Sequence, residues 1–380
     1  MKASVVHRSR SPFRPSFGTS PPVVSGRDAI LAELGDALDA GPGAAGRAAL
    51  LTGNRGIGKT VMLNEAEVLA RERGWLVISE TATAGLLDRL TSDGLPELAD
   101  LLRQEPSSRR RVRGFSLPSG LGGLEFDLPA EAGPGGLRRQ LNTLTDVLED
   151  QGTGILVTLD EVHARDGRAD VAQLCAVVQH AFREERPVAF AAAGLPAAVQ
   201  DLLASDVSTF LRRARRFVLE PLSPAAAEEA LRVPILRAGR HVAGGEVATM
   251  ALATHGYPYL VQVIGDQVWR QDPAAPRITP AHVRAGIAAA VREAGFALHE
   301  PAINDLSEGD RAFVKAMAED DAGESSIADV ERRMGRDHGY VSRYRARLIV
   351  AGLVEPSRRG YLRFTIPYLR EFLQSRPDHF

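Results

Sequence analysis

Ala48-Ala49-Leu50-Leu51-Thr52-Gly53-Asn54-Arg55-Gly56-Ile57-Gly58-Lys59-Thr60-Val61 is the stretch that decides how the chain is built. Ala48 to Leu51 read as a short apolar strand, and the text after the glycines turns helical through about Arg73. Between them, Gly53 to Thr60 fits G-x-x-x-x-G-K-[ST] at every position, in the strand-to-helix setting that gives the pattern its meaning. Gly53, Gly56 and Gly58 let the backbone curl so that successive N–H groups converge on β- and γ-phosphate oxygens, helped by the positive end of the following helix. Lys59 puts a compact ammonium between those phosphates, and Thr60 offers a hydroxyl to Mg2+. The chain has three lysines (Lys2, Lys59 and Lys315) against 43 arginines. A lysine where a planar guanidinium cannot follow the loop therefore marks a functional demand. The expected nucleotide-binding stretch is Gly53, Asn54, Arg55, Gly56, Ile57, Gly58, Lys59, Thr60 and Val61.

Outward from the loop, strands alternate with helices over some 170 residues. A helix over Ile30 to Leu38, with Ser25 and Asp28 as N-cap candidates, precedes the first strand. A second strand follows at Trp75 to Ile78, then a Leu-rich helix from Leu86 to Leu102. Gly, Pro and Ser interrupt 106–136, where alternating pieces at Val112 to Leu117 and Leu124 to Leu128 suggest an irregular hairpin or flap. A helix from Leu137 to Asp150 leads to Ile155-Leu156-Val157-Thr158-Leu159-Asp160-Glu161, an apolar strand ending in two carboxylates. The helix Val171 to Arg183 and the strand Val188 to Ala193 complete an α/β pattern, a parallel sheet with helices on both faces. At the carboxyl edge of such a sheet Asp160 points into the ligand crevice, where it would hold Mg2+ through water. Glu161, one residue further, is placed to orient or deprotonate the water that attacks the γ-phosphate. Glu161-x-His163 lacks a second histidine at helical spacing, so no separate metal centre is expected. Cys175 and His180 read as core and surface residues of a helix.

The chain is 380 residues long, enough for two or three domains, with 46 basic and 48 acidic residues and a formal charge of -2. That balance excludes a polybasic or acidic tail protein, and no apolar run approaches the roughly 18 residues of a membrane span. One cysteine excludes an internal disulfide framework and fits a reducing cytoplasm. Residues 1–22 lack the apolar core of a secretory signal and are expected to form an exposed, flexible arm.

From Ser223 the strands give way to helical pieces, an all-helical lid. After Pro301 come helices at Glu308–Glu319, Ser326–Met334 and Gly339–Ala351, then short strands at Leu353–Glu355 and Tyr361–Phe364 about a Ser357–Gly360 turn, which spell a winged helix-turn-helix. The expected domains are thus an arm (1–22), a core (23–221), a lid (222–300) and a winged helix (301–380). Nine arginines between Arg332 and Arg363 face only Asp337 and Glu355 in that window. On the third helix Val341, Tyr344 and Leu348 should pack inward, leaving Tyr340, Arg343 and Arg347 on the face offered to a DNA major groove. Arg358 and Arg359 at the hairpin tip would reach phosphates or the minor groove. The same module could instead dock on its own core or on a protein partner.

With these residues in place, the chain resembles the AAA+ and STAND branch of P-loop ATPases, in particular the initiator-like ATPases of archaea and bacteria that join an ATPase core, a helical lid and a winged helix. The similarity spans roughly Val23 to Phe364. Val24-Ser25-Gly26-Arg27-Asp28 looks like the family's V-G-R-E box, which implies that Arg27 borders the adenine and that Phe13 to Pro22 clasps the base side. The strand Val188 to Ala193 stands in place of the family's sensor 1 strand, but its tip, Ala193-Gly194-Leu195-Pro196, offers no polar side chain, which implies slow hydrolysis. Arg212, Arg213, Arg215 and Arg216 fall where such ATPases carry an arginine finger for a neighbouring subunit. Arg216 is the candidate, with a homo-oligomer implied, although a plain basic helix end reads equally well. Gly256-Tyr257-Pro258-Tyr259-Leu260 resembles the G-x-P motif of STAND lids, which implies contact of Pro258 with the base, although a proline that simply starts a helix reads equally well.

The sequence therefore leads to an ATP/ADP- and Mg2+-dependent switch, slowly turning ATP and water into ADP and phosphate, that couples nucleotide state to double-stranded DNA. The open alternative is a nucleotide-dependent signalling or scaffold protein whose winged helix makes protein contacts. Another triphosphatase, such as a kinase, has no acceptor-substrate motif to support it.

Overall fold

The computed structural model describes residues 10–16, 18–104, 124–131, 133–162, 164, 166–204, 206–304, 306–320 and 323–376. Within them the chain divides into two compact units, one of 28–53 and 59–218, the other of 10–27, 54–58 and 219–376.

The first unit is built on five parallel strands, β1 (Ala48–Thr52), β2 (Leu76–Thr81), β3 (Ile155–Asp160), β4 (Val188–Gly194) and β5 (Arg215–Val218), in the order β2-β3-β4-β1-β5. Every residue of β1 and β4 is buried, as a sheet covered on both faces requires. Leu50, Ile78, Val157, Leu159, Phe190 and Ala192 face one way, into a core shared with the helices Leu95–Arg103, Gly133–Glu149 and Arg168–Arg183. The alternate residues face helix α2, the element that follows the glycine-rich loop (α1, Asp28–Asp39; α2, Lys59–Glu72). There the Thr158 hydroxyl donates to the buried Glu67 carboxylate of α2 over 2.7 Å.

The second unit is helical at first, with Pro224–Arg237, Gly244–Ala253, Pro258–Arg270 and Pro280–Ala294. Ser223 and Thr279 cap two of these N-termini, each followed by a proline at the first helical position, where the missing N–H costs nothing. A wide turn at Gly295–His299 leads on to the helices Glu308–Ala318, Ile327–Met334 and His338–Val350. The strands β6 (Glu324–Ser326), β7 (Val354–Arg358) and β8 (Tyr361–Phe364) form an antiparallel sheet in the order β6-β8-β7, and a short helix, Leu369–Gln374, closes the chain. Three helices and the β7–β8 hairpin are the arrangement expected for this module, and β6 adds a third strand that was not expected. Its core already includes Leu298, upstream of the expected boundary at 301.

Several expectations are corrected. Leu124 to Leu128 is extended chain outside any ladder, anchored where the Leu124 amide donates to Leu102 O; Val112 to Leu117 lies outside the described residues. The helix expected from Leu137 begins at Gly133. The Arg212–Arg216 cluster is not a helix end throughout, because Arg215 and Arg216 open the edge strand β5.

The arm is not exposed at Phe13, which is 4% accessible. Its ring fills a notch over Gly265, where a Cβ would stand 2.4 Å from it, and the Arg14 amide donates to Gln262 Oε1 over 3.1 Å. Phe13→Ala should lower stability by about 3–5 kcal/mol in denaturant titration and raise hydrogen exchange at the Arg14 amide. Unchanged melting and exchange would restore the exposed arm.

His299 is fully buried, with Nε2 donating to Pro367 O over 2.8 Å and Nδ1 without a partner. Burial pushes its pKa down from 6.5 to about 4, outweighing the pull of the Pro367 carbonyl and Glu371. The unfolded chain then binds more protons between those values, so this contribution to stability is complete above pH 6.5 and disappears as pH falls through 4. The expected loss between pH 7 and pH 4 is about 3 kcal/mol relative to a His299→Gln protein, read from denaturation midpoints at the two pH values. Parallel pH profiles for the two proteins would contradict it.

Candidate nucleotide-binding site

β1 delivers the chain to Gly53 at the carboxyl edge of the sheet, and α2 begins at Lys59. Gly56 (φ 76) and Gly58 (φ 95) take the left-handed backbone that the bend demands and that side chains resist. Lys59 turns back across the bend, its Nζ donating to Gly53 O over 3.0 Å. Ile57 is buried, while Asn54, Arg55, Gly56, Gly58, Lys59, Thr60 and Val61 are partly accessible.

The register brings the acidic strand end to the same level. Leu159 lies opposite Ala192, and Ala193 opposite Leu51, so Asp160 ends β3 beside the start of the loop. The Thr60 hydroxyl donates to Asp160 Oδ2 over 2.5 Å, and the Glu161 amide donates to Asp160 Oδ1 over 2.8 Å. Glu161 is exposed and sits at φ 56, an uncommon conformation for a residue with a side chain. The Val162 amide donates to Ala193 O, which fixes the acidic turn to the apolar tip of β4. A hydroxyl and a carboxylate are the hard oxygen donors that suit Mg2+, with phosphate oxygens and water completing six positions. No group of three or more His, Cys, Asp or Glu able to hold a metal occurs among the described residues, and His163 lies outside them.

Other expected residues lie in the second unit or at the sheet edge. Arg27 is half-buried and donates to Glu220 O over 2.6 Å; burial lowers its pKa, against a smaller opposing effect of Glu220. Ser25 beside it is buried with an unpartnered hydroxyl. Pro258 starts its helix over the loop, its Cγ 3.7 Å from where a Gly58 Cβ would stand. Gly256 (φ 73) is required just before it, since a Cβ there would come within 2.5 Å of Leu222 O. Arg216 is exposed opposite Leu50, with its guanidinium on Arg212 O, and is not part of the Lys59–Thr60–Asp160 group. Sequence reasoning missed Tyr257, which is buried and bonded to Asn54, and Glu67 beneath the site. A tyrosine before Pro258 and a carboxylate seven residues after Thr60 were the only signals available.

On the winged module, Tyr340 and Tyr344 stack with centroids 4.7 Å apart, and Arg336 and Arg343 lie over Tyr340. Tyr344 is half-buried and not fully inward, because it covers Gly309. Arg347 is not a free groove reader: it pairs with the buried Asp310 at 2.7 Å. Arg358 pairs with Glu324 at 3.0 Å and lies over Tyr361. Arg343 and Arg359 are exposed and have no acidic partner among the described residues. Residues 301–380 contain thirteen acidic and thirteen basic side chains, so the basic window is balanced by carboxylates outside it.

Residues 23–190 match a family described as AAA ATPase domain, and residues 297–373 match a domain family of unknown function (DUF8462). Among solved structures, the ORC2 protein of Aeropyrum pernix in ADPNP-ADP complexes is 15% identical, covers 95% of this chain and 96% of its own, and has a TM-score of 0.63. Its ADP form is 15% identical with a TM-score of 0.54, covering 96% of this chain and 98% of its own. Cdc6p of Pyrobaculum aerophilum is 16% identical, covers 95% and 96%, and has a TM-score of 0.48. A search of curated proteins gave no match. Over residues 23–190 the loop and the sheet match an AAA ATPase domain, and the fold is like that of the A. pernix ORC2 protein.

Proposed function

We propose that the chain is an ATP-binding switch that hydrolyses ATP slowly and transmits its nucleotide state to the winged module. The observation that carries this reading is the Thr60–Asp160 hydrogen bond, which joins the phosphate loop to the acidic strand end. Nucleotide as the ligand is supported by the A. pernix ORC2 structures, which are of ADPNP-ADP complexes and an ADP form. The backbone amides of 54–60 would receive the β- and γ-phosphates and Lys59 would neutralise them. Mg2+ bound at Thr60, with Asp160 reached through water, would screen the phosphate charge. Glu161 would orient the attacking water. Arg27, Pro258 and the unpaired Ser25 hydroxyl are the groups available to the base. The tip of β4 has no polar side chain to place on the γ-phosphate, in keeping with slow turnover and a STAND-like, state-holding role. Arg216, exposed on an edge strand, is accessible to a second copy of the chain.

Arg343, Arg359 and Tyr340 form the surface we assign to double-stranded DNA, with Arg347 and Arg358 held by carboxylates that a phosphate would have to displace. That neutralisation is also the observation favouring the second reading, a nucleotide-dependent scaffold whose winged helix binds protein.

Lys59→Ala should weaken ATP binding at least ~100-fold in calorimetry, whereas Glu161→Gln should bind ATP and lose ~100-fold in phosphate release. Unchanged turnover in the second protein would remove Glu161 from the reaction. In a gel shift at low salt, Arg343→Ala combined with Arg359→Ala should weaken duplex binding ~10-fold. No duplex binding by the unaltered protein even at low salt would select the scaffold.

A further inference from the structure

Tyr257 occupies a position that neither phosphate binding nor the lid fold explains. It is 5% accessible and precedes Pro258, after two successive left-handed residues, His255 (φ 48) and Gly256 (φ 73). That turn drives the phenol inward. Its hydroxyl donates to the backbone carbonyl of Thr365, just past β8 in the winged module, and is also hydrogen bonded to the Asn54 side chain of the phosphate loop. A phenol has one proton to give. With that proton on Thr365 O, the Asn54 amide must be the donor to Tyr257. The three groups form a directed chain, Asn54 to Tyr257 to Thr365.

The segment receiving this chain is a strap fixed to the lid at two further points. Pro367 O accepts from His299 Nε2, and the Tyr368 hydroxyl donates to Ala253 O over 2.7 Å, with its ring edge-on to His255. These two bonds hold the strap to the lid helices, whereas the Tyr257 bond connects it to the phosphate loop. Resting on the nucleotide reading above, we infer that Tyr257 is a positioning residue that relays the conformation of Asn54 to the seating of the winged module. Phosphates arriving at the amides of 54–58 reorient Asn54. When its amide leaves the phenol, the hydroxyl loses its donor and the Thr365 bond weakens, because hydrogen bonds in such a chain polarise one another.

The test is hydrogen exchange by mass spectrometry on the full chain, with Tyr257→Phe, Asn54→Ala and the double variant, first without nucleotide. Tyr257→Phe keeps the buried ring and removes only the hydroxyl. Each single change should raise exchange at the Thr365 and Leu369 amides about tenfold, with no rise in the helix Pro280–Ala294, and the double variant should add less than about twofold. Additive effects, no response to Asn54→Ala, or a rise spread over the whole lid would overturn the relay. In a second arm, ATP with Mg2+ should change strap exchange in the unaltered protein and leave it unchanged in Tyr257→Phe, although that variant still binds ATP within about threefold. The same response in both proteins would also overturn it. If calorimetry shows that the unaltered protein binds no ATP, the nucleotide reading falls, and the nucleotide-free cycle still decides whether Asn54 reaches the strap.

Discussion

The hydrogen bond from Thr60 to Asp160 joins residues a hundred positions apart, and the geometry of the candidate site follows from it. A hydroxyl bonded to a carboxylate is among the stronger contacts available to a neutral donor. It also fixes which way the oxygen faces. With its proton committed to Asp160, Thr60 can present only lone pairs to anything else, and lone pairs are what a magnesium ion needs. The bond is therefore compatible with metal ligation and prepares for it. Two turns along α2, the Glu67 carboxylate accepts a hydrogen bond from the Thr158 hydroxyl of the same strand. Helix α2 is thus tied to β3 at two points on one face, and the start of the helix cannot shift along the strand without breaking both.

The parts of this arrangement visible in the sequence are those where burial and chemistry are both local. β1, β3 and β4 are continuous apolar runs because the sheet is covered on both faces, and the loop advertises itself through three glycines and a rare lysine. β5 was not legible, because Arg-Arg-Phe-Val carries two charges; an edge strand that buries only Phe217 and leaves both arginines in solvent tolerates them. β6 is three residues long and owes its existence to pairing with β8. Helix Gly133–Glu149 begins through Gly-Pro-Gly-Gly, a poor helical start on propensity, yet a Cβ on Gly136 would collide with Glu131 O, so close backbone approach chose the glycine there.

The arginines show why charge counted along a window misleads. Arg347 and Arg358 belong to a basic stretch by sequence, but each is met by a carboxylate more than thirty residues away. Arg47 goes further. It is buried and donates to the carbonyls of Arg186 and Val188, with Trp75 and Phe182 against its guanidinium, and desolvation lowers its pKa to about 10. It still carries its charge at neutral pH. In a chain that uses arginine so freely for structure, an arginine alone is weak evidence of function, which is why the lone lysine of the loop is informative.

Glu161 brings the two halves of the nucleotide reading together. A left-handed backbone at a residue with a side chain costs roughly 1–2 kcal/mol, and such strain persists only where neighbouring bonds hold it. Here the holders are on both sides: its own amide on Asp160 and the Val162 amide on Ala193 O. The same turn that holds Asp160 toward Thr60 therefore leaves the Glu161 side chain in solvent, beside a β4 tip that offers no polar group to a γ-phosphate. On the proposed reading, an acid strained, exposed and without a polar neighbour on that strand would have to wait for the turn to rearrange before it could orient water. The slow turnover proposed for the chain would then originate in the backbone at one position, and a bound triphosphate would persist long enough to act as a state.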